Sequence, residues 1–279
     1  MSRIAVIGLV GESVFLSVDR HQAVGETAHA TSIHREWGGK GYNQAVAAAR
    51  YGADVSFLGA ASARDADAIV SAALADGVRA VIIEKPEATA YGVIVTDKTG
   101  DNRVTVYGGA SLAADDVDAF RKEIENADIL IINNEVAEDV NVAAVKIAKA
   151  AGVRVIYNPA PMRRICEYLC ANTDIFTPNE HEAEEISAFE NAIVTLGDKG
   201  CLIKWTGANL PAMKVDKVVD TTGAGDTFTG VLAASMAEGC DAYDACRAAI
   251  AASSIEVTRR FVMPAIPYRR EVEDALSQE

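Results

Sequence analysis

Short, continuous apolar runs alternate along the chain with Ala-rich stretches of helical spacing, and this rhythm leaves few folds open. Apolar runs fall at residues 4–9, 54–58, 80–83, 129–132, 153–157, 175–177, 193–196 and 202–204. Helical patterns fall at 42–51, 66–75, 114–126, 140–151, 180–187, 226–237, 242–257 and 269–276. Runs that do not alternate with polar residues suit strands covered on both faces. Strands that alternate with helices imply right-handed βαβ units and a mostly parallel sheet. The expected class is therefore α/β. Two stretches break the rhythm, at 13–37 and 87–108. They are polar, alternating and rich in Thr, Val and Tyr, and the second holds a turn at 97–101. They read as a small antiparallel flap outside the main sheet.

No repeat or linker interrupts the 279 residues, so one domain spanning 1–279, with lid segments at about 13–37 and 87–108, is the economical description. The chain carries 26 basic and 40 acidic residues, a formal charge of −14. That surface excludes nucleic acid and an anionic membrane as principal partners, while a local pocket can still bind an anion. No apolar run nears the ~20 residues needed to span a bilayer, and the start reads as a buried strand rather than a signal peptide. Five cysteines, an odd count without a C-x-x-C pair, fit reduced thiols in a cytoplasmic protein. Four scattered histidines offer no metal cluster; His181-Glu182 lacks the second His of a zincin helix.

Two segments carry chemistry. In the first, Asp220-Thr221-Thr222-Gly223-Ala224-Gly225-Asp226-Thr227-Phe228, a Gly-rich turn feeds a helix. Phe228, Val231, Leu232 and Met236 give that helix an apolar face. Gly223, Ala224 and Gly225 leave backbone N–H groups open at its N-terminus, a place that binds anions through free donors and the helix dipole. Asp226 in the first turn is either a helix-capping acid or a general base beside a phosphate. In the second segment, Trp37-Gly38-Gly39-Lys40-Gly41-Tyr42-Asn43-Gln44-Ala45, glycines precede a strong helix. They serve either a tight turn or the close approach of backbone to a hydroxylated ligand held by Lys40 and Asn43. Neither a Walker A loop nor a Rossmann fingerprint is present.

These two segments resemble the signatures of the ribokinase-like carbohydrate kinases, the PfkB family. Asn158-Pro159-Ala160-Pro161, Thr177-Pro178-Asn179-Glu180-His181-Glu182 and Val194-Thr195-Leu196-Gly197-Asp198-Lys199-Gly200 resemble shorter family motifs in the family's order, so the likeness covers nearly the whole chain. It implies a three-layer α/β/α domain with a β-sheet lid that closes over a sugar and often forms a dimer contact. It implies an ATP-dependent kinase that phosphorylates a hydroxyl, normally a hydroxymethyl, of a small carbohydrate. Asp226 would be the general base, with the N–H groups of Gly223, Ala224 and Gly225 as the anion hole. Gly39, Lys40, Asn43 and Glu135 would hold the sugar, and Asn179, Thr195 and Gly197 the nucleotide. Glu182 would reach Mg²⁺ through water. Asp220 and the Thr222 carbonyl would bind K⁺.

The sequence also departs from the family pattern. Ser13 stands where an Asp is usual in relatives that take ribose-like substrates. Tyr42 replaces a small residue, and Phe261 and Ala265 stand where Gly and Ser are usual near the K⁺ site. A nucleoside kinase on the same fold is the nearest alternative, with Tyr42 a candidate to stack on a ring. A non-catalytic, ligand-binding pseudokinase is a third, and the intact Asp226 and glycines speak against it.

Overall fold

The structure, a computed structural model, describes residues 2–186 and 189–278. Its first strand carries the architecture in miniature. Strand β1 (Arg3–Ile7) buries Ile4 and Val6 in one hydrophobic cluster and Ala5 and Ile7 in another. Successive side chains on a strand point to opposite faces. Both faces are therefore covered, as the unbroken apolar run requires.

After β1 the chain forms β2 (Gly11–Val18), β3 (Ala30–Gly38), α1 (Lys40–Arg50), β4 (Asp54–Ser62), α2 (Ala66–Ala75), β5 (Val78–Lys85), β6 (Ala90–Thr96) and β7 (Asn102–Tyr107). There follow α3 (Arg121–Glu125), β8 (Ile129–Asn133), α4 (Glu138–Ala150), β9 (Arg154–Asn158), α5 (Glu167–Asn172) and β10 (Ile175–Phe176). The last part holds α6 (Glu180–Glu185), β11 (Ile193–Thr195), β12 (Cys201–Ile203), β13 (Ala208–Leu210), α7 (Ala224–Ala237), α8 (Ala242–Glu256) and α9 (Arg269–Leu276).

The main sheet has the order β10-β9-β8-β1-β4-β5, with every pair parallel. One face packs on α1, α2, α7, α8 and α9 through residues such as Val46, Phe57, Leu232 and Ala249. The other packs on α3, α4 and α5 through residues such as Phe120, Leu130, Val145 and Leu169. This is the expected three-layer α/β/α arrangement. Beyond β10 an antiparallel meander of β11, β12 and β13 joins through single bridges, Phe176 to Ala192 and Asn179 to Thr195. The three residues of β13 are too few for a sequence signal.

The lid is a four-stranded sheet of order β3-β2-β6-β7. Its two hairpins are antiparallel, but the seam between β2 and β6 is parallel, from Gly11 opposite Ala90 to Ser17 opposite Thr96. The reason lies in the main sheet. The strands β2 and β6 follow the C-terminal ends of β1 and β5, which run the same way, so both leave in the same direction.

Other elements shift locally. The helix expected at 114–126 begins as a 3-10 turn over Ala114–Phe120 before α3. Asp115, Asp116 and Asp118 are poor formers of a regular α-helix. Asp116 instead accepts from the Ala113 N–H at 2.7 Å and from Lys85 at 2.7 Å. Helix α1 starts two residues earlier than its apolar pattern suggests. The expected helix at 180–187 ends at Glu185, and its last residue, Ser187, lies outside the described residues. Tyr42 is 1% exposed and packs edge-on against Phe57, with ring centroids 5.7 Å apart. It belongs to the core, so it neither stacks on a ligand nor reaches the lid. Among the described residues no helix is long and apolar enough to cross a membrane.

Candidate active site

The turn before α7 is built around Gly223. Its φ of +90° is left-handed, which glycine adopts without strain. A Cβ there would come within 2.6 Å of both Glu256 Oε1 and Val262 Cγ1. The Gly223 carbonyl accepts from the N–H groups of Asp226 and Thr227, each at 2.8 Å, and starts the helix. The Ala224 N–H makes only a long bond, 3.4 Å, to the Thr221 carbonyl. Gly225 is exposed. Open donors at the start of a 14-residue helix make an anion nest. Before it, Asp220 Oδ1 accepts from the Thr222 N–H at 3.0 Å and fixes the approach of the chain.

Asp226 is 5% exposed and is not a capping acid. Its Oδ2 accepts from Asn43 Nδ2 at 2.9 Å, and its Oδ1 from Gln44 Nε2 at 3.1 Å. Both donors lie on α1, so the two segments that carry the sequence motifs meet at one carboxylate. Burial pushes the Asp226 carboxyl above the ordinary range, and the Lys40 ammonium and the two amide donors pull it back. Lys40 in turn is raised, chiefly by Asp226. Gln44 also reaches Asn158 Oδ1 at 3.2 Å, and Asn158 Nδ2 donates to the Thr177 carbonyl at 2.7 Å. A line of buried amides thus ties α7 to the ends of β9 and β10.

The N-terminus of α1 is a second polar centre. Gly39 caps it at a φ of +114°, where a Cβ would meet the Leu9 carbonyl oxygen at 2.5 Å. The Lys40 N–H donates to Glu135 Oε2 at 2.6 Å. Glu135 follows β8 and comes to the start of α1, where the helix dipole favours an acid. Burial, and then the nearby Asp226 charge, still push its carboxyl up to about 7. Ser13 lies on β2 opposite Gly92, with its Oγ 3.0 Å from the Cβ position of Gly38. It faces the same end of the lid.

On the other side of Asp226 a cleft of about 900 Å³ opens. Lys40, Asn179, Glu182, Thr195, Gly197 and the residues Thr222 to Asp226 line it. The expected nucleotide residues are therefore brought together with the nest. Gly39, Asn43 and Glu135 are not on that cleft wall; they stand on the lid side of Asp226. Asn179 and Glu182 form a capping box for α6. Glu182 N–H donates to Asn179 Oδ1, and Asn179 N–H to Glu182 Oε2, both at 2.9 Å. The pair uses only Oε2 of Glu182, so Oε1 takes no part in the cap.

Three residues at the site had no assigned role in the sequence. Gln44 showed only as a polar residue in an Ala-rich helix. Glu36 on β3 accepts from the N–H groups of Val262, at 3.0 Å, and Met263, at 3.3 Å, and from His34 at 2.9 Å. It fastens the lid to the loop behind Gly223. In that loop Phe261 has a φ of +66° and stacks on His34, ring centroids 3.9 Å apart. Glu256, at the end of α8, is 1% exposed, and neither of its carboxylate oxygens has a hydrogen-bond partner. The Thr227 hydroxyl lies beside it, close enough to pull its carboxyl down. Burial, with the nearby Asp226, Asp220 and Glu36, pushes Glu256 up to about 9.

A model of the pfkB family of carbohydrate kinases matches residues 1–268. The chain is 36% identical to the bifunctional ribokinase/ribose-5-phosphate isomerase A of Fructilactobacillus sanfranciscensis, covering all of this chain and 57% of that protein. It is 33% identical to the ribokinase of Lactococcus lactis, over 100% and 98% of the two chains. The solved structure of Arabidopsis thaliana ribokinase complexed with ribose and ATP matches at a TM-score of 0.86 and 28% identity, over 99% of each chain.

Proposed function

The chain belongs to the pfkB family of carbohydrate kinases, ATP-dependent enzymes that phosphorylate an alcohol group, and from that footing we propose a specific transfer. The γ-phosphoryl group of ATP passes to a hydroxymethyl oxygen of a small sugar. The observation that supports it most is the convergence of both motifs on Asp226. A buried carboxylate lies directly after an anion nest, between a nucleotide-sized cleft and the polar lid side.

In this reading the sugar lies under the lid, held by Lys40, Asn43, Glu135 and the backbone at Gly39. Ser13 offers a hydroxyl where a ribose-binding relative would offer an acid. Asp226, oriented by Asn43 and Gln44, accepts the proton of the hydroxyl. The freed oxygen attacks the γ-phosphorus, and the bond to ADP breaks in line. Charge that grows on the transferring group is met by the N–H groups of Gly223, Ala224 and Gly225. Their donors are in place before the reaction, so little reorganisation opposes the step. Asn179, Thr195 and Gly197 hold the nucleotide.

Mg²⁺ would be held on the cleft side through water by Glu182, whose Oε1 is outside the capping pair, and would offset phosphate charge. Asp220 and the Thr222 carbonyl would hold K⁺ behind the nest, close to the buried Glu256 carboxyl. Exposed Ile33, Val104, Val106 and Tyr107 on the outer lid strands support a homodimer through the lid.

The test is ADP release with Mg-ATP over pentoses, hexoses, sugar acids and nucleosides. Turnover that needs one compound, and that falls by roughly 10²–10⁴ in Asp226→Asn while the variant stays folded, is the expected outcome. Near-normal turnover in that variant would remove Asp226 from the role.

A further inference from the structure

The parallel seam of the lid brings together two loops that are far apart in sequence. At its outer end Ser17 of β2 stands opposite Thr96 of β6. The chain beyond β2 therefore passes beside the turn between β6 and β7, and His21 meets Asp97 and Asp101 there. One ring nitrogen of His21 and one carboxylate oxygen from each Asp lie within 4.8 Å of one another. In sequence the four histidines are scattered; the fold supplies a grouping for this one. The His21 side chain is only 7% exposed. Its Nε2 lies 3.0 Å from the Asp101 carbonyl oxygen, which can only accept, so Nε2 is the donor. In the neutral ring Nδ1 is then a bare lone pair, and it is buried without a hydrogen-bond partner. A buried acceptor with no donor is costly. An imidazole that donates from one nitrogen to a carbonyl and offers the other is the usual form of a metal-binding histidine. The acids are equally prepared. Asp97 Oδ1 accepts from the Thr99 N–H at 2.8 Å, the Thr99 hydroxyl at 2.6 Å and the Asp101 N–H at 3.2 Å, which leaves Oδ2 outside these bonds. The bonds, that of the Thr99 hydroxyl first, hold the Asp97 carboxyl below its ordinary range. Arg20 and Lys98, cations of the same two loops, are taken up by Glu26 and Asp19.

We propose that His21, Asp97 and Asp101 bind a divalent transition-metal ion, of the Zn²⁺ kind, at the outer end of the lid. One imidazole and two carboxylates suit Zn²⁺, Co²⁺ or Ni²⁺, whereas Mg²⁺ prefers oxygen ligands alone. Two carboxylates and one divalent ion also balance in charge. Ligand atoms about 2.1 Å from such an ion stand roughly 3.4 Å apart in a tetrahedron, so one side chain must move inward. The Asp101 side chain is 67% exposed and free to make that rotation. Three protein ligands leave a position open to water. The ion would join the loop after β2 to the β6–β7 turn and brace the lid at the end opposite its attachment to the body. The site lies apart from the nucleotide cleft, and the inference does not depend on the phosphoryl transfer.

The experiment is calorimetric titration of the ligand-free protein, stripped of metal by a chelator and dialysed, with ZnCl₂ and separately with MgCl₂. Zn²⁺ should fill one site that His21→Ala and Asp97→Asn each weaken roughly tenfold or more. At about a hundred times its Kd, Zn²⁺ should raise Tm on the order of 5 °C. It should also slow amide hydrogen exchange at 18–22 and 96–102, and only in proteins that keep the cluster. His29→Ala removes an exposed histidine of the same loop, and Cys240→Ser an exposed thiol; both should leave the site intact. Asp101→Asn carries the test should His21→Ala not fold. Absence of Zn²⁺ binding, binding that survives the loss of His21 and of Asp97, or Mg²⁺ bound there as tightly as Zn²⁺ would each overturn the proposal. No nucleotide or sugar is present, so the outcome is independent of the kinase assay. Silence in that assay would count against the transfer reaction and leave this metal assignment standing.

Discussion

Gln44 and Asp226 are separated by 182 positions in sequence, yet the amide of one meets the carboxylate of the other at 3.1 Å in the buried centre of the site. That bond favours the ionised form of Asp226. Gln44→Leu should raise the pKa of the base, so the acidic limb of kcat/KM moves to higher pH, and kcat at neutral pH should fall roughly tenfold or more. A pH–rate profile of the variant checks both. An unmoved acidic limb would mean that Gln44 only packs.

Gly223→Ala places a Cβ 2.6 Å from both Glu256 Oε1 and Val262 Cγ1, at a φ of +90°. Strain and overpacking together should cost ~1–3 kcal/mol of stability. The nest would be displaced, so kcat should fall more than KM for ATP rises. Chemical denaturation and steady-state kinetics separate the two effects. A variant of normal stability and turnover would show that the turn is looser than it looks.

Much of this was legible before the fold. The unbroken apolar runs gave the two-sided parallel sheet, because only strands covered on both faces can dispense with polar alternation. The glycines and acid around 220–226 gave the nest, because helix N-termini expose donors by construction. Gln44, Glu36 and Glu256 were not legible, because each acts on a group far away in sequence. Glu256 reads locally as one acid at a helix end, and its burial is decided by the packing of α7 and the loop at Val262. Tyr42 misled for the converse reason. Its motif neighbours face the site, while its own place on α1 turns it onto Phe57.

Glu135 is pushed up to about 7 by burial and by Asp226, against an ordinary value of 4.5. A carboxyl raised on folding stabilises fully below its unfolded pKa and loses that contribution as pH rises through the folded value. Glu135→Gln should therefore match the wild type in Tm near pH 4. It should gain on it progressively between about 4.5 and about 7, and hold a constant lead above. Melting curves across that range test the sign. A lead that shrinks with rising pH would contradict the raised carboxyl.

Glu36 accepts three hydrogen bonds, two of them from the backbone of Val262 and Met263. Glu36→Ala leaves those N–H groups without their partner, which should cost ~1–3 kcal/mol. Because the lost contacts tie the lid to the loop behind the nest, KM for the sugar should rise several-fold more than KM for ATP. Equal changes in both constants would assign Glu36 to general stability alone.

The parallel seam between β2 and β6 has a mechanical side. Gly11, Gly38, Ala90 and Tyr107 are the points at which the four lid strands join the body; the register sets Gly11 beside Gly38 and Ala90, and Tyr107 beside Tyr91, one residue further on. A plate attached along one edge has a single easy motion. It can swing about that edge, but to twist or slide it must break its own attachments. Such an attachment suits a hinged door rather than a tethered flap, and Glu36 bonds the lid to the Val262–Met263 backbone close to the hinge line. In the proposed reading, a sugar that drew the door shut would move every strand through the same angle at once, and closure would be a concerted event.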